Sequence, residues 1–259
     1  MASVIFDKVS KGRYSDQVVE MIKAEVASVK YTIGDKLPTE KELTEQLNVS
    51  RTVVREAIRM LEEAGFVETK RGPKGGVFVT RAFHKPVSNS LKALVDHGEL
   101  TVDDLFDVRL LIEPYIAAQA AVRAKPKDLE ALQSLIDESL LHQDDTSLLK
   151  QNNINFHLAL AKAAQNPVLS IIMESVIELV QQLSQDFSES SYSKAHLEIH
   201  RQILSLIEQR NADEASKLIT YDITKVAKVL KDYFLTCQPG VKNRKRMKQP
   251  RARKNIQSS

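Results

Sequence analysis

Apolar positions in the N-terminal third of the chain change period twice. Leu43 and Leu47 stand one turn apart, and after Asn48-Val49-Ser50 a second run sets Val54, Ile58 and Leu61 on one stripe. That spacing predicts two short helices separated by a tight turn. Pro38 and Thr39 mark entry into the first, and Glu42, three residues after Thr39, completes a capping-box signature. Ser50 is placed to cap the second helix by accepting a backbone N–H bond, and Gly65 ends it. Phe66-Val67 and Val77-Phe78-Val79 then read as short strands joined by the basic turn Lys70-Arg71-Gly72-Pro73-Lys74-Gly75-Gly76. Helix, turn, helix and glycine-bearing hairpin, in that order, predict a winged helix-turn-helix.

Beyond residue 81 the pattern becomes uniformly helical. Four of the eight glycines lie between Gly65 and Gly76, and none occurs from Glu99 to Pro239, a stretch rich in Leu, Ala, Glu, Gln and Lys. We expect a short helix near 88–97, then helices near 102–124, 127–143, 146–165, 167–186, 194–210 and 213–234. Thr101, Pro126, Asn166-Pro167 and Asp213 supply start signals. Pro114 falls inside the first long helix and should kink or break it. The fold class is therefore mainly α, a winged helix-turn-helix followed by an all-α helical bundle. Its expected parts are a winged helix-turn-helix domain at 1–81, a linker with a connecting helix at 82–101, a helical domain at 102–236, and a basic disordered tail at 237–259.

The polar face of the second short helix carries the first candidate chemistry. Arg51, Thr52, Arg55 and Arg59 are left facing outward, and Arg51 and Arg55 share a face at the helix N-terminal end. A recognition helix meets base edges with that end, where arginine can bind guanine O6 and N7 in bidentate fashion. Lys41 on the preceding helix and Lys74 on the wing are suited to phosphates, which set register without reading sequence, and Arg71 on the same wing is a further DNA-binding candidate. The alternative is a solvated basic surface, but the ordered set favours double-stranded DNA.

Charge sharpens this division. The net +3 conceals +2 over residues 1–81, −7 over 82–241 and +8 over 242–259. The acidic middle is unsuited to DNA and the two ends are suited to it. The acid-free tail either remains a solvated run or adds sequence-independent affinity for a polyanion. One cysteine, Cys237, excludes a disulfide framework, and no stretch approaches a membrane span. These features suit a two-domain protein of a reducing cytosol.

The segment LPTEKELTEQLNVSRTVVREAIRMLEEAGFV resembles the N-terminal domain of the GntR superfamily of bacterial regulators nearly position by position. The resemblance implies that Lys41, Arg51 and Arg55 touch DNA and that the wing glycines, Gly75 and Gly76, approach the minor groove. Lysine at 41, threonine at 39 and the Pro73-Lys74 wing depart mildly from the pattern and leave the operator preference open.

A second constellation lies in the helical part. Asn153 and His157, four apart, share a helical face, while His200 and Asp222 fall on two later helices. Donors from three helices of a bundle can converge on one first-row divalent ion, although each polar group could equally be a satisfied core or surface residue. Residues 103–230 resemble the FCD domain of the FadR branch of the same superfamily. The resemblance rests on DVRLLIEP at 107–114, on Asn153 and His157 followed by AAQNP, and on His200 followed by Ile203-Leu204. It implies a metal held by Asn153, His157, His200 and, at the usual third-histidine position, Asp222. Zinc, nickel and manganese all accept aspartate, but the exchange adds negative charge and weakens the preference for softer metals. His196, one turn before His200, is the rival fourth ligand. His84, His97 and His142 are expected at the surface. Arg109 has two readings, an intrahelical ion pair with Glu113 or, as the resemblance implies, a cavity arginine binding an effector carboxylate.

No Ser/His/Asp arrangement and no acid–base pair beside a nucleophile is evident, so the chain is read as a non-enzyme. The expected function is a homodimeric transcriptional repressor on a palindromic operator, released by a small carboxylate metabolite bound near the metal. The alternative is a metal sensor or metal-dependent enzyme fused to a DNA-binding domain.

Overall fold

A computed structural model describes residues 14–28, 30–184 and 190–237. The chain divides into two compact units between His97 and Gly98. The first contains α1 (Tyr14–Ala27), α2 (Glu40–Leu47), α3 (Arg51–Glu63), β1 (Val67–Lys70), β2 (Gly76–Val79) and α4 (Lys85–Asp96). The second contains α5 (Val102–Arg123), α6 (Pro126–Leu141), α7 (Thr146–Ala163), α8 (Pro167–Leu183), α9 (Ser190–Glu208) and α10 (Ala212–Cys237). The connecting helix therefore groups with the first unit, and α10 reaches Cys237, where the tail was expected to begin. The tail beyond it lies outside the described residues.

Local signals set the helix ends in the first unit. Thr39 Oγ1 accepts from the Glu42 amide at 3.3 Å, and the Glu42 carboxylate accepts from the Thr39 amide at 2.7 Å. Asn48 closes α2 in the left-handed region at φ 50°, a conformation its short amide side chain tolerates. Ser50 Oγ then accepts from the Val53 amide and starts α3. Val54, Ala57, Ile58 and Leu61 turn inward. Ala57 and Leu61 meet Val18, Val19 and Ile22 of α1, with Leu37, Val67 and Val79. Helix α1 was not anticipated, although Val18, Val19, Ile22 and Val26 follow the helical period.

The wing is a two-stranded antiparallel ladder in the register Val67↔Val79 to Lys70↔Gly76. A β-bridge from Lys36 to Phe78, with the Leu37 amide donating to Val77 O at 2.8 Å, ties the approach to α2 onto its edge. Gly65 turns from α3 into β1 at φ +77°, and a Cβ there would lie 2.2 Å from Ala82 O. Only glycine meets both demands.

In the second unit α10 lies along α5, while α7 contacts α5, α6, α8 and α9. Ala117, Ala120 and Ala121 give α5 a flat buried face, and Ile116, Ile219 and Ile223 are fully buried. Each such isoleucine contributes about 1.5–3 kcal/mol by leaving water. Helix α5 continues through Pro114 without a break. Beyond its C-terminus, Arg210 donates to Ala121 O at 2.9 Å and Ala124 O at 3.2 Å, satisfying two terminal carbonyls. Asn166 Oδ1 accepts from the Val168 and Leu169 amides and starts α8 where Pro167 needs no partner.

Candidate functional site

Two arrangements carry chemistry, one on each unit. On the first, α3 presents Arg51, Thr52, Arg55 and Arg59 to solvent while its opposite face is buried in the core. Arg51 and Thr52 have no side-chain partner among the described residues. Arg55 Nε donates to Glu40 Oε2 on α2 at 2.7 Å, and Lys41 lies 3.9 Å from Glu45. Arg71 and Lys74 are exposed on the wing turn. Gly75 is required by the wing itself, since a Cβ there would lie 2.4 Å from Lys70 O; at Gly76 it would meet the Lys36 side chain. Lys36 Nζ reaches Gly75 O, and Lys36 and Lys70 both lie over the Phe78 ring.

The second arrangement is wholly interior. Arg109, Glu113, His157, His196, His200 and Asp222, from α5, α7, α9 and α10, are each no more than 4% exposed. Arg109 Nε donates to Glu113 Oε1 at 2.5 Å, and the other Glu113 oxygen accepts from His157 Nδ1 at 2.6 Å. That hydrogen bond fixes the His157 tautomer and turns Nε2 toward Asp222 Oδ2, 3.4 Å away. His200 Nε2 approaches the same oxygen at 3.5 Å, while Asp222 Oδ1 pairs with His196 Nδ1. Phe156 stacks on the His200 ring at 3.9 Å between centroids.

His157 Nε2, His200 Nε2 and Asp222 Oδ2 are buried without a hydrogen-bond partner, and the three residues offer ligand atoms within 4.8 Å of one another. Buried polar atoms are normally satisfied, so two imidazole nitrogens and a carboxylate oxygen converging unpaired fit a divalent cation. Glu113 and His196 hold the far sides of two of these groups, as outer partners of metal ligands commonly do.

The electrostatics follow the same partners. Burial alone would raise the Glu113 carboxyl, but Arg109 and His157 beside it hold it down at about 2. Burial pushes His157 down, and Glu113 and Asp222 outweigh it and leave it raised. For His200 burial prevails over Asp222 and the value is lowered. Burial would also raise Asp222, yet the three imidazoles around it, of His157, His196 and His200, hold it well below the ordinary carboxylate value.

Of the residues singled out by sequence, His157, His200 and Asp222 come together. His196 joins them through the other Asp222 oxygen, so the two rivals for the fourth position are partners. Asn153 is half-buried and borders a small cavity with Phe156, His196 and His200, with no side-chain hydrogen bond among the described residues. Arg109 does form its ion pair with Glu113, and its Nη2 is buried and unpartnered. His97 and His142 are exposed as expected, but His84 is half-buried with Nδ1 shielded. Sequence reasoning missed Glu113 as the partner of His157, because no spacing rule links positions on different helices. It also missed Glu40, whose only local signal was its place at the start of α2.

Residues 14–79 match the model of the bacterial regulatory proteins of the gntR family, and residues 104–225 match the FCD domain. The Uxu operon regulator of Haemophilus influenzae is 37% identical over 211 residues, covering 78% of this chain and 76% of that protein. The transcriptional regulator LutR of Bacillus subtilis is 31% identical over 207 residues, covering 78% and 94%. Among solved structures, a Streptococcus agalactiae GntR aligns with TM-score 0.57 and 28% identity, covering 83% of this chain and 99% of that one.

Proposed function

Since this chain belongs to the gntR family of bacterial regulatory proteins and carries an FCD domain, we propose that it is a ligand-responsive transcriptional repressor released from its operator by a small carboxylate. DNA binding and transcription regulation come with the family; its relatives are regulators and not enzymes. The operator is palindromic and the protein binds it as a homodimer, since one short recognition helix reads too few base pairs alone. Arg51, Thr52 and Arg55 read bases, while Lys41, Arg71 and Lys74 neutralise phosphates beside the wing glycines Gly75 and Gly76. The protein works in the cytoplasm at the nucleoid; no described helix is long and apolar enough to cross a membrane.

His157, His200 and Asp222 hold a divalent zinc, nickel or manganese ion, with Asn153 as the fourth ligand. The observation that supports this is the convergence of three buried, unpaired ligand atoms from α7, α9 and α10. When bound, the ion supplies the positive charge that an anion needs in an acidic domain. Glu113 keeps His157 Nε2 aimed at the site, and His196 holds Asp222. The free Arg109 Nη2 offers a further donor to the effector carboxylate. A relative 30% identical over 231 residues is named for the L-lactate dehydrogenase operon of Escherichia coli, and lactate is such a small carboxylate.

Thermal unfolding with zinc, nickel or manganese, with chelator, and with L-lactate or related hydroxy acids tests this reading. Metal should raise Tm, and an effective acid should raise it further only when metal is present and weaken operator binding. A metal that alters DNA affinity without any acid would favour a metal sensor. No metal effect in the wild type would remove the site.

A further inference from the structure

Arg51 and Arg55 share a face of α3, and among the described residues Arg55 alone of the two is linked to another helix. Its Nε donates to Glu40 Oε2 at 2.7 Å, and the two side chains are 67% and 41% exposed. Glu40 is the first residue of α2, directly after the Thr39 cap. The Thr39–Glu42 box and a hydrogen bond from Thr44 Oγ1 to Glu40 O hold the backbone there. We propose that Glu40 is a positioning residue for Arg55, and that this pair makes the base contacted by Arg55 the most stringently read position of each half-site. The proposal rests on the DNA-contact reading of α3 and adds a specificity determinant to it.

The geometry supplies the reason. A guanidinium bound through Nε keeps Nη1 and Nη2 as a parallel pair of donors, the spacing that guanine O6 and N7 accept. Tethering Arg55 before docking removes rotamer freedom that Arg51 must still lose. A carboxylate on a DNA-facing surface also repels phosphates, which weakens binding to every sequence alike. Its presence therefore lowers non-specific affinity while sharpening one contact, and both effects raise selectivity. An exposed ion pair contributes little to folding, so stability is a poor account of it.

Duplexes selected from a random pool by the wild-type protein provide the probe, compared with single-base variants and a random duplex. Glu40→Ala should bind the random duplex several-fold more tightly and lose about tenfold in discrimination at one position. Glu40→Gln, which keeps an acceptor for Arg55, should restore much of that discrimination. In an Arg55→Ala background, Glu40→Ala should change nothing at that position. The proposal is overturned if Glu40→Ala selects as sharply as wild type, or if it loses discrimination equally without Arg55. If Arg55→Ala itself leaves every base preference intact, Arg55 reads no base, and the DNA-contact reading of this residue fails with the proposal. Equal Tm for the three Glu40 forms shows that folding is not the cause.

Discussion

Two arginine–glutamate pairs in this chain use the same chemistry to opposite ends. Arg55 and Glu40 bridge two helices in water, 67% and 41% exposed, whereas Arg109 and Glu113 share one helix at 4% and 0%. At the surface the pair can separate at little cost, and its cation stays available to a phosphate or base. Inside, neither charge can be left alone, because desolvation is offset only by the partner. The first unit thus leaves its charges in contact with solvent, and the second pairs them inside its core.

The contrast predicts its own largest effect. Glu113→Ala leaves Arg109 charged and unpaired and frees His157 Nδ1, so urea denaturation should show a loss of roughly 3–5 kcal/mol. Glu40→Ala should change stability by no more than about 1 kcal/mol in the same measurement. Similar losses in both variants would erase the distinction between the pairs.

Metal binding sharpens the interior half. At a hundredfold excess over Kd, the ion should add about 2.7 kcal/mol of stability in calorimetry. His157→Ala and His200→Ala should each abolish that increment. Asp222→Ala should abolish it too, whereas His196→Ala should weaken binding about 10–100-fold, because His196 acts through Asp222. Full loss with His196→Ala and none with Asp222→Ala would reverse their roles.

The exterior half should respond in binding and not in folding. Arg51→Ala should cost about 1–3 kcal/mol on the operator and relax one base position, with Tm unchanged. Lys74→Ala should weaken all duplexes alike and reduce the slope of log K against log salt by about one. A sequence-dependent loss at Lys74 would move it from phosphate to base contact.

The smallest effect concerns the α2 capping box. Hydrogen bonds from the Thr39 amide and hydroxyl hold Glu42 below its ordinary value. Its contribution is fully present above the unfolded glutamate value near 4.5 and is lost as pH falls through the lowered folded value. The stability gap between wild type and Thr39→Ala should therefore narrow in acid. A gap that stays constant down to pH 2 would show that the carboxylate takes no part.

Much of this architecture was legible from residues close together in the chain. Thr39 with Glu42, Ser50, Thr101 and Asn166 each mark a helix start, because an unpaired terminal amide is satisfied by a side chain at most a few positions away, and Pro126 marks one because it has no amide to satisfy. The turn at Asn48 and the wing at Gly72–Gly76 were equally local. Helix α1 carried a readable apolar stripe that went unused, and α10 extended past its expected end because no residue there forbids a further turn.

The sequence by itself determined which residues share a face, and therefore that Arg51 and Arg55 project together from α3 and that His157, His200 and Asp222 were candidates to meet. Only the tertiary structure decided what lies opposite each of them. Glu113 reaches His157 across 44 positions, His196 takes the second oxygen of Asp222 across 26, and Glu40 reaches Arg55 across 15. Helical periodicity sets the angle of a side chain about its own axis but not which face of another helix packs against it. That choice belongs to the apolar packing of the whole unit, which then requires every charge it buries to find a partner.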